Sequence, residues 1–309
     1  MKTIAYYLTL FSMLAFCQPA WGQVAKAKIP VFVSILPQAY FLERIGGSHV
    51  DVEVLIGVGQ SPHSYEPTPQ QMAKLATARA FFSIGVPVEK GVLRKIRQSH
   101  KQLVIVETQQ GITYRYLAGH DDDHGDSHGK DQRPEGHKIS APAKAGPKDP
   151  DPHIWMAPKL VKIQARNIYE ALSRLDPAYK QEYTENLRTF AADLDAIDAR
   201  ISGSLAPLKE RKMYVFHPAF GYFADAYGLI QVPIEIEGKE PGARQLSKLI
   251  DRAKKDRVKV IFVQPQFSAR SAEVVAKAIG GVVVPIDDLG RDYLANLESI
   301  AAAIERGLH

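Results

Sequence analysis

Three histidines stand where a chain could aim a ligand nitrogen. His63 lies in the turn-rich run Gly59-Gln60-Ser61-Pro62-His63-Ser64-Tyr65-Glu66-Pro67-Thr68-Pro69, after an apolar segment ending at Ile56. His153 lies in Asp151-Pro152-His153-Ile154-Trp155-Met156-Ala157-Pro158, just ahead of an expected helix. His217 directly follows the strand-like Met213-Tyr214-Val215-Phe216, and Pro218 biases it towards extended backbone. Asp287, in Pro285-Ile286-Asp287-Asp288-Leu289, also follows a strand-like run. Imidazole nitrogen and carboxylate oxygen are the donors that suit zinc. Each residue alone has a plainer reading. A histidine beside proline is commonly a surface or hydrogen-bonding residue, and Asp287 or Asp288 would equally suit the cap of a helix beginning near Arg291. What joins them is position: His63, His217 and Asp287 follow strand ends, and open α/β sheets bind ligands outside the carboxyl ends of their strands.

A second group differs in kind. His120, His124, His128 and His137 are spread through the segment 119–148 among aspartate, glycine, proline and lysine, with almost nothing apolar. Such a stretch cannot bury enough surface to offset the entropy of ordering it, so a loop is expected. Its histidines read either as a weak collector of metal or as a passive insert, and flexible ligands that must be ordered bind more weakly than a preformed pocket.

The elements that must position these residues alternate. Short apolar runs at 31–35, 52–56, 80–84 and 103–106 read as buried strands, with helices expected over 40–45, 69–76 and 89–98. The pattern returns after a gap, with strands over 213–216, 232–235, 260–263 and 282–285 and helices over 221–227, 243–256, 268–279 and 293–306. Alternation of this type implies parallel sheets covered by helices on both faces, hence an α/β fold of two βα lobes. Between the lobes Asp176-Pro177 reads as a helix start, and Tyr179, Tyr183, Leu187, Phe190, Leu194, Ile197 and Ile201 recur at spacings of three and four. One stiff linker helix is expected over 177–204, roughly 25 residues and on the order of 37 Å long. The N-terminal lobe then spans 23–176 and the C-terminal lobe 205–309, with a ligand drawn from both lobes held in the cleft between them.

The amino terminus bears on compartment. Lys2, an apolar run from Ile4 to Phe16, and Ala20-Trp21-Gly22 form the pattern of a secretory signal peptide over 1–22, cut after Gly22. Cys17 is the sole cysteine. Bulky Phe16 precedes it where lipoprotein processing wants a small residue, so no lipid anchor is expected there. Once residues 1–22 are removed no thiol remains, and any metal must be held by nitrogen and oxygen. The net charge of +5 is scattered along the chain without a basic block, so a nucleic-acid surface is not indicated.

The four segments around His63, His153, His217 and Asp287 resemble, in the same order, the metal-ligand motifs of the ZnuA-type solute-binding proteins of metal ABC transporters, also grouped as cluster 9 (A-I). The resemblance runs from about Ile29 to the C-terminus. It implies two βα lobes joined by one long helix, a site in the interlobe cleft, and zinc as the cargo. It further implies a monomeric periplasmic protein that is not an enzyme, takes no organic substrate, and hands its ion to a membrane permease. Manganese-type members carry a glutamate where this chain has His217, so the third ligand points to zinc. Some zinc members use a glutamate or a water near the first motif instead of the late aspartate, which makes Asp287 the least secure ligand. Some also have a disulfide in the C-terminal lobe, which this chain cannot form. Three alternatives stay open: a manganese or iron carrier of the same transport family, a zinc-dependent hydrolase with Glu66 or Asp288 as base, and a surface adhesin. Against the hydrolase, there is no His-Glu-x-x-His helix.

Overall fold

A computed structural model of the chain describes residues 27–100, 102–116, 150–235 and 239–309. The expected cleavage site, Cys17, and His120, His124, His128 and His137 lie outside the described residues.

The first half contains β1 (Ile29–Val33), α1 (Leu36–Gly46), β2 (Val50–Val54), α2 (Pro69–Leu75), β3 (Ala80–Ser83), α3 (Pro87–Ser99) and β4 (Val104–Glu107). Its four strands are all parallel, in the order β2-β1-β3-β4. Two helices follow, α4 (Pro158–Leu175) and α5 (Lys180–Leu205). The second half repeats the pattern with β5 (Lys212–Val215), α6 (Gly221–Tyr227), β6 (Ile230–Pro233), α7 (Ala243–Lys255), β7 (Val260–Val263), α8 (Arg270–Ala278), β8 (Val282–Pro285) and α9 (Tyr293–Leu308). Its parallel order is β6-β5-β7-β8, the same topology as the first sheet. The fold is therefore the expected pair of parallel-sheet lobes. Every residue of the central strands β3 and β7 is buried, as required of strands covered on both faces, whereas the edge strands β4 and β8 are exposed at both ends.

Side-chain alternation in the second sheet separates two apolar layers. Met213, Val215 and Phe262 face a core continuous with α5, α9 and the first lobe, while Tyr214, Phe216, Ile261 and Val263 face a smaller cluster under α7 and α8. Helix α5 is the wall shared by the lobes. Its stripe Tyr183, Phe190, Leu194, Ile197, Ile201 and Leu205 is buried, and it packs on α1 and α4 on one side and on α6 and α9 on the other. Burial of one large apolar side chain such as Phe190 stabilises by roughly 1.5–3 kcal/mol.

One detail of the wall differs from the sequence reading. The α-helix begins at Lys180, because Pro177–Tyr179 forms a 3₁₀ turn instead of the first α turn, and Asp176 makes no side-chain cap. That turn stacks Tyr179 on His49, with ring centroids 3.7 Å apart. Helix α4 lies alongside α5 and doubles the wall.

Candidate metal centre

The two sheets present their carboxyl edges to the cleft, but they use them differently. At the crevice between β1 and β3 the space is filled by side chains. Gln38 Oε1 accepts from the Ser34 and Ile35 amides at 3.0 and 3.3 Å, and Glu89 accepts from the Ser34 hydroxyl and the Ile84 and Gly85 amides. The first lobe's strand-end histidine therefore comes from the loop after β2. There Gly57 N–H donates to Gln60 Oε1 at 2.8 Å, and Gly59 takes a φ of +74° that an L side chain rarely adopts. His63 rides on this loop, exposed on one side.

In the second lobe the equivalent crevice, between β5 and β7, carries His217. Its backbone is fixed by Gln264, whose Oε1 accepts from His217 N–H at 3.2 Å and whose Nε2 donates to His217 O at 2.7 Å. His153 comes from the segment 151–158, every residue of which is buried between the lobes. That wedge is held by Tyr222, which donates to Asp151 O at 3.0 Å, and by Tyr293, which donates to Trp155 O at 2.7 Å.

The structure brings the three imidazoles together: each offers a nitrogen within 4.8 Å of the others, and the ring centroids lie 4.7 to 5.8 Å apart. Two rings are locked by carboxylates. Nδ1 of His153 is 2.7 Å from Asp151 Oδ1, and Nδ1 of His217 is 2.7 Å from Glu235 Oε1. A carboxylate only accepts, so each Nδ1 carries a proton, and each Nε2 is turned inwards. Those two Nε2 atoms are 3.2 Å apart. Two ring nitrogens this close need a cation or a shared proton between them. A tetrahedral ion bound at about 2.0–2.1 Å places its nitrogen ligands about 3.3–3.4 Å apart, so the geometry is that of a metal chelate. Among the described residues no carboxylate makes a hydrogen bond to the His63 ring, so its orientation is not fixed as those of His153 and His217 are.

The electrostatics agree. His63 is lowered to about 3, first by its crowded surroundings and then by His217 and His153. Burial alone would raise Asp151, but its hydrogen bonds from His153 and the charge of Arg115 outweigh that and hold it below the ordinary carboxylate range. Burial raises Asp288 against the pull of His153 and His217.

The fourth donor is where the sequence reading and the structure part. Asp287 does not line the pocket: its Oδ1 accepts from Gln266 Nε2 at 2.7 Å and from the Leu289 amide at 2.9 Å. Asp288 does line it, together with Pro62, the three histidines and Gln266, and its buried Oδ1 has no hydrogen-bond partner. The chain turns at the end of β8, so consecutive aspartates point to different places. Trp155 holds this turn by donating Nε1–H to Asp288 O at 2.7 Å, a tie from the His153 segment that sequence spacing cannot show. Asp151, Glu235 and Gln264 were likewise not singled out. A carboxylate just past a strand end, such as Glu235 after β6, is the signal that would have found one of them.

The free space at the cluster is about 10 Å³, enough for one ion or one water and too small for an organic molecule. A cavity of about 790 Å³ opens at the opposite, amino edge of the first sheet, around Lys28, Arg79 and His100, and holds none of the cluster.

A family model described as zinc-uptake complex component A, periplasmic, matches residues 31–307. The high-affinity zinc uptake system protein ZnuA of Bacillus subtilis is 30% identical over 258 residues, covering 82% of this chain and 76% of that protein. A zinc-binding protein AdcA of Streptococcus pyogenes is 28% identical over 298 residues, 90% of this chain; this chain spans only 56% of AdcA's length. A crystal structure of ZnuA superposes with a TM-score of 0.80 at 39% identity, covering 91% of this chain and all of that one. The periplasmic zinc-binding protein TroA of Treponema pallidum shares the fold, with a TM-score of 0.74 at 21% identity over 91% of this chain and 99% of that one.

Proposed function

Because this chain belongs to the zinc-uptake complex component A family, we propose that it is an extracytoplasmic carrier that captures one zinc ion between its lobes and delivers it to the permease of an ABC transporter. The observation that carries this reading is the 3.2 Å approach of two imidazole Nε2 atoms whose Nδ1 protons are both committed to buried carboxylates. His63 and Asp288 complete an N₃O set, normal for zinc, with nitrogen in excess of what manganese prefers. Asp287 takes no part in coordination; it shapes the turn that presents Asp288.

Capture uses the locked pair, His153 and His217, together with His63 on the exposed loop. The small free volume leaves no room for a substrate beside the metal, which supports carriage rather than turnover. Among the described residues no helix is long and apolar enough to cross a membrane.

The test is elemental analysis of purified protein together with zinc and manganese competition titrations of the metal-free form, for the parent chain, Asp288→Asn and Asp287→Asn. One tightly held zinc per cleft, weakened far more by Asp288→Asn than by Asp287→Asn, is the expected result. Manganese displacing zinc at comparable concentration would refute the cargo, and the reverse order of the two variants would refute the ligand.

A further inference from the structure

Arg115 lies on the first lobe, at the end of the described stretch that precedes residue 117, and it touches three things at once. Its Nη1 donates to Asp151 Oδ2 at 3.2 Å, on the same carboxylate whose Oδ1 fixes Nδ1 of His153. Its Nε lies 3.1 Å from Asp225 Oδ2 on α6 of the second lobe. Its backbone N–H donates to the Tyr222 hydroxyl at 3.0 Å, and that hydroxyl in turn donates to Asp151 O. The strand-like pairing of 115–116 with 150–151 holds it there, through Asp151 N–H to Arg115 O at 2.9 Å and the bridge between Tyr116 and Pro150.

The second lobe is shaped to receive the guanidinium. Gly221 opens α6, and a Cβ there would occupy the place of Arg115 Nη1. Any side chain at 221 would push the guanidinium off Asp151 or α6 out of its seat. Asp151 is wholly enclosed, so without a cation its charge would face only the ring and backbone amide of His153. A fully buried carboxylate with a charged partner on one oxygen and a ligand imidazole on the other makes the ring's orientation depend on that partner.

We propose that Arg115 is a positioning residue that latches the lobes over the ion, coupling the seating of α6 to the orientation of His153, so that metal escape requires its contacts with Asp151 and Asp225 to break. This rests on the reading of the histidine cluster as a zinc site. Entry and exit share one path, so the latch opposes both, and release into chelator is the step that reads it.

The experiment loads the full chain with one equivalent of zinc and follows release into excess chelator by stopped flow, alongside thermal melting of each metal-free protein. Arg115→Gln is expected to speed release about tenfold, the lower end for loss of an outer partner of a metal ligand. Gly221→Ala should match it by displacing the guanidinium. Arg115→Lys should recover part of the loss, because a point charge can still meet Asp151 but cannot span to Asp225 as the planar fork does. Asp225→Asn, at a side chain 61% exposed and so without consequence for folding, should speed release about two- to fivefold and leave the metal-free melting temperature unchanged. Release at the parent rate from both Arg115→Gln and Asp225→Asn would overturn the latch. So would release rates that merely track loss of melting temperature, with no recovery by lysine. A parent chain that fails to hold stoichiometric zinc would show before any variant is made, and would sink the site rather than the latch.

Discussion

Replacing Glu235 by glutamine separates charge from hydrogen bonding at the His217 ligand. The carboxylate is 4% exposed at its side chain and accepts the Nδ1 proton at 2.7 Å. With that bond, the width of the ring and a metal–nitrogen distance of about 2.0 Å, the carboxylate oxygen lies about 6.5 Å from the ion. A full charge facing a divalent ion at that distance is worth about 5 kcal/mol at an effective dielectric of about 20, an upper bound. Glutamine still accepts the Nδ1 proton through Oε1, so the tautomer survives and only part of this is lost. Outer partners of metal ligands typically contribute tenfold to a hundredfold in affinity, about 1.4–2.7 kcal/mol, and Glu235→Gln should fall in that interval. Glu235→Ala, which also frees the ring to turn, should weaken binding further. Chelator-competition titration at neutral pH measures both. Parent-like zinc affinity in Glu235→Gln, with weak binding in Glu235→Ala, would show that orientation alone matters and refute the electrostatic reasoning.

His63→Ala should abolish tight zinc binding yet leave the metal-free melting temperature within about 1 °C of the parent, because the residue is an exposed loop position outside the core. The zinc-induced rise in melting temperature, which reports site occupancy, should vanish with it; a rise retained in full would remove His63 from the ligand set. Glu89 supplies a pH test away from the metal. Burial raises it to about 7 from an ordinary 4.5, despite hydrogen bonds from Ser34, Ile84 and Gly85. The folded state therefore holds the proton more tightly than the unfolded one, so Glu89's contribution is full below about pH 4.5 and is lost as pH rises through about 7. Glu89→Gln cannot titrate, and its metal-free unfolding free energy should gain on the parent by up to about 1.4 kcal/mol per pH unit across that window, then level off. Denaturant unfolding at pH 5, 6, 7 and 8 that gives a constant difference would place the carboxylate outside the titrating range.

What the chain order encoded was period and context. Apolar runs of four or five residues alternating with helical stripes specified two parallel sheets, and the stripe on α5 identified the wall between them, because both signals depend on neighbours a few residues apart. The same local information set His63, His153 and His217 apart, since each follows a strand end or precedes a helix in a proline-rich turn. Which of two consecutive aspartates lines the pocket could not be read this way. Asp287 and Asp288 differ by one residue, and one residue of rotation at the end of β8 sends one carboxylate to Gln266 and Leu289 and the other into the pocket. The partners that give the imidazoles their tautomers were equally hidden. Asp151 is two residues from His153 but Glu235 is eighteen from His217, and Arg115 meets Asp225 across the lobes at a separation no periodicity records. Ligand types are a property of the chain, whereas the 3.2 Å convergence of His153 and His217 and the charges behind them exist only once two sheets and a shared wall have packed.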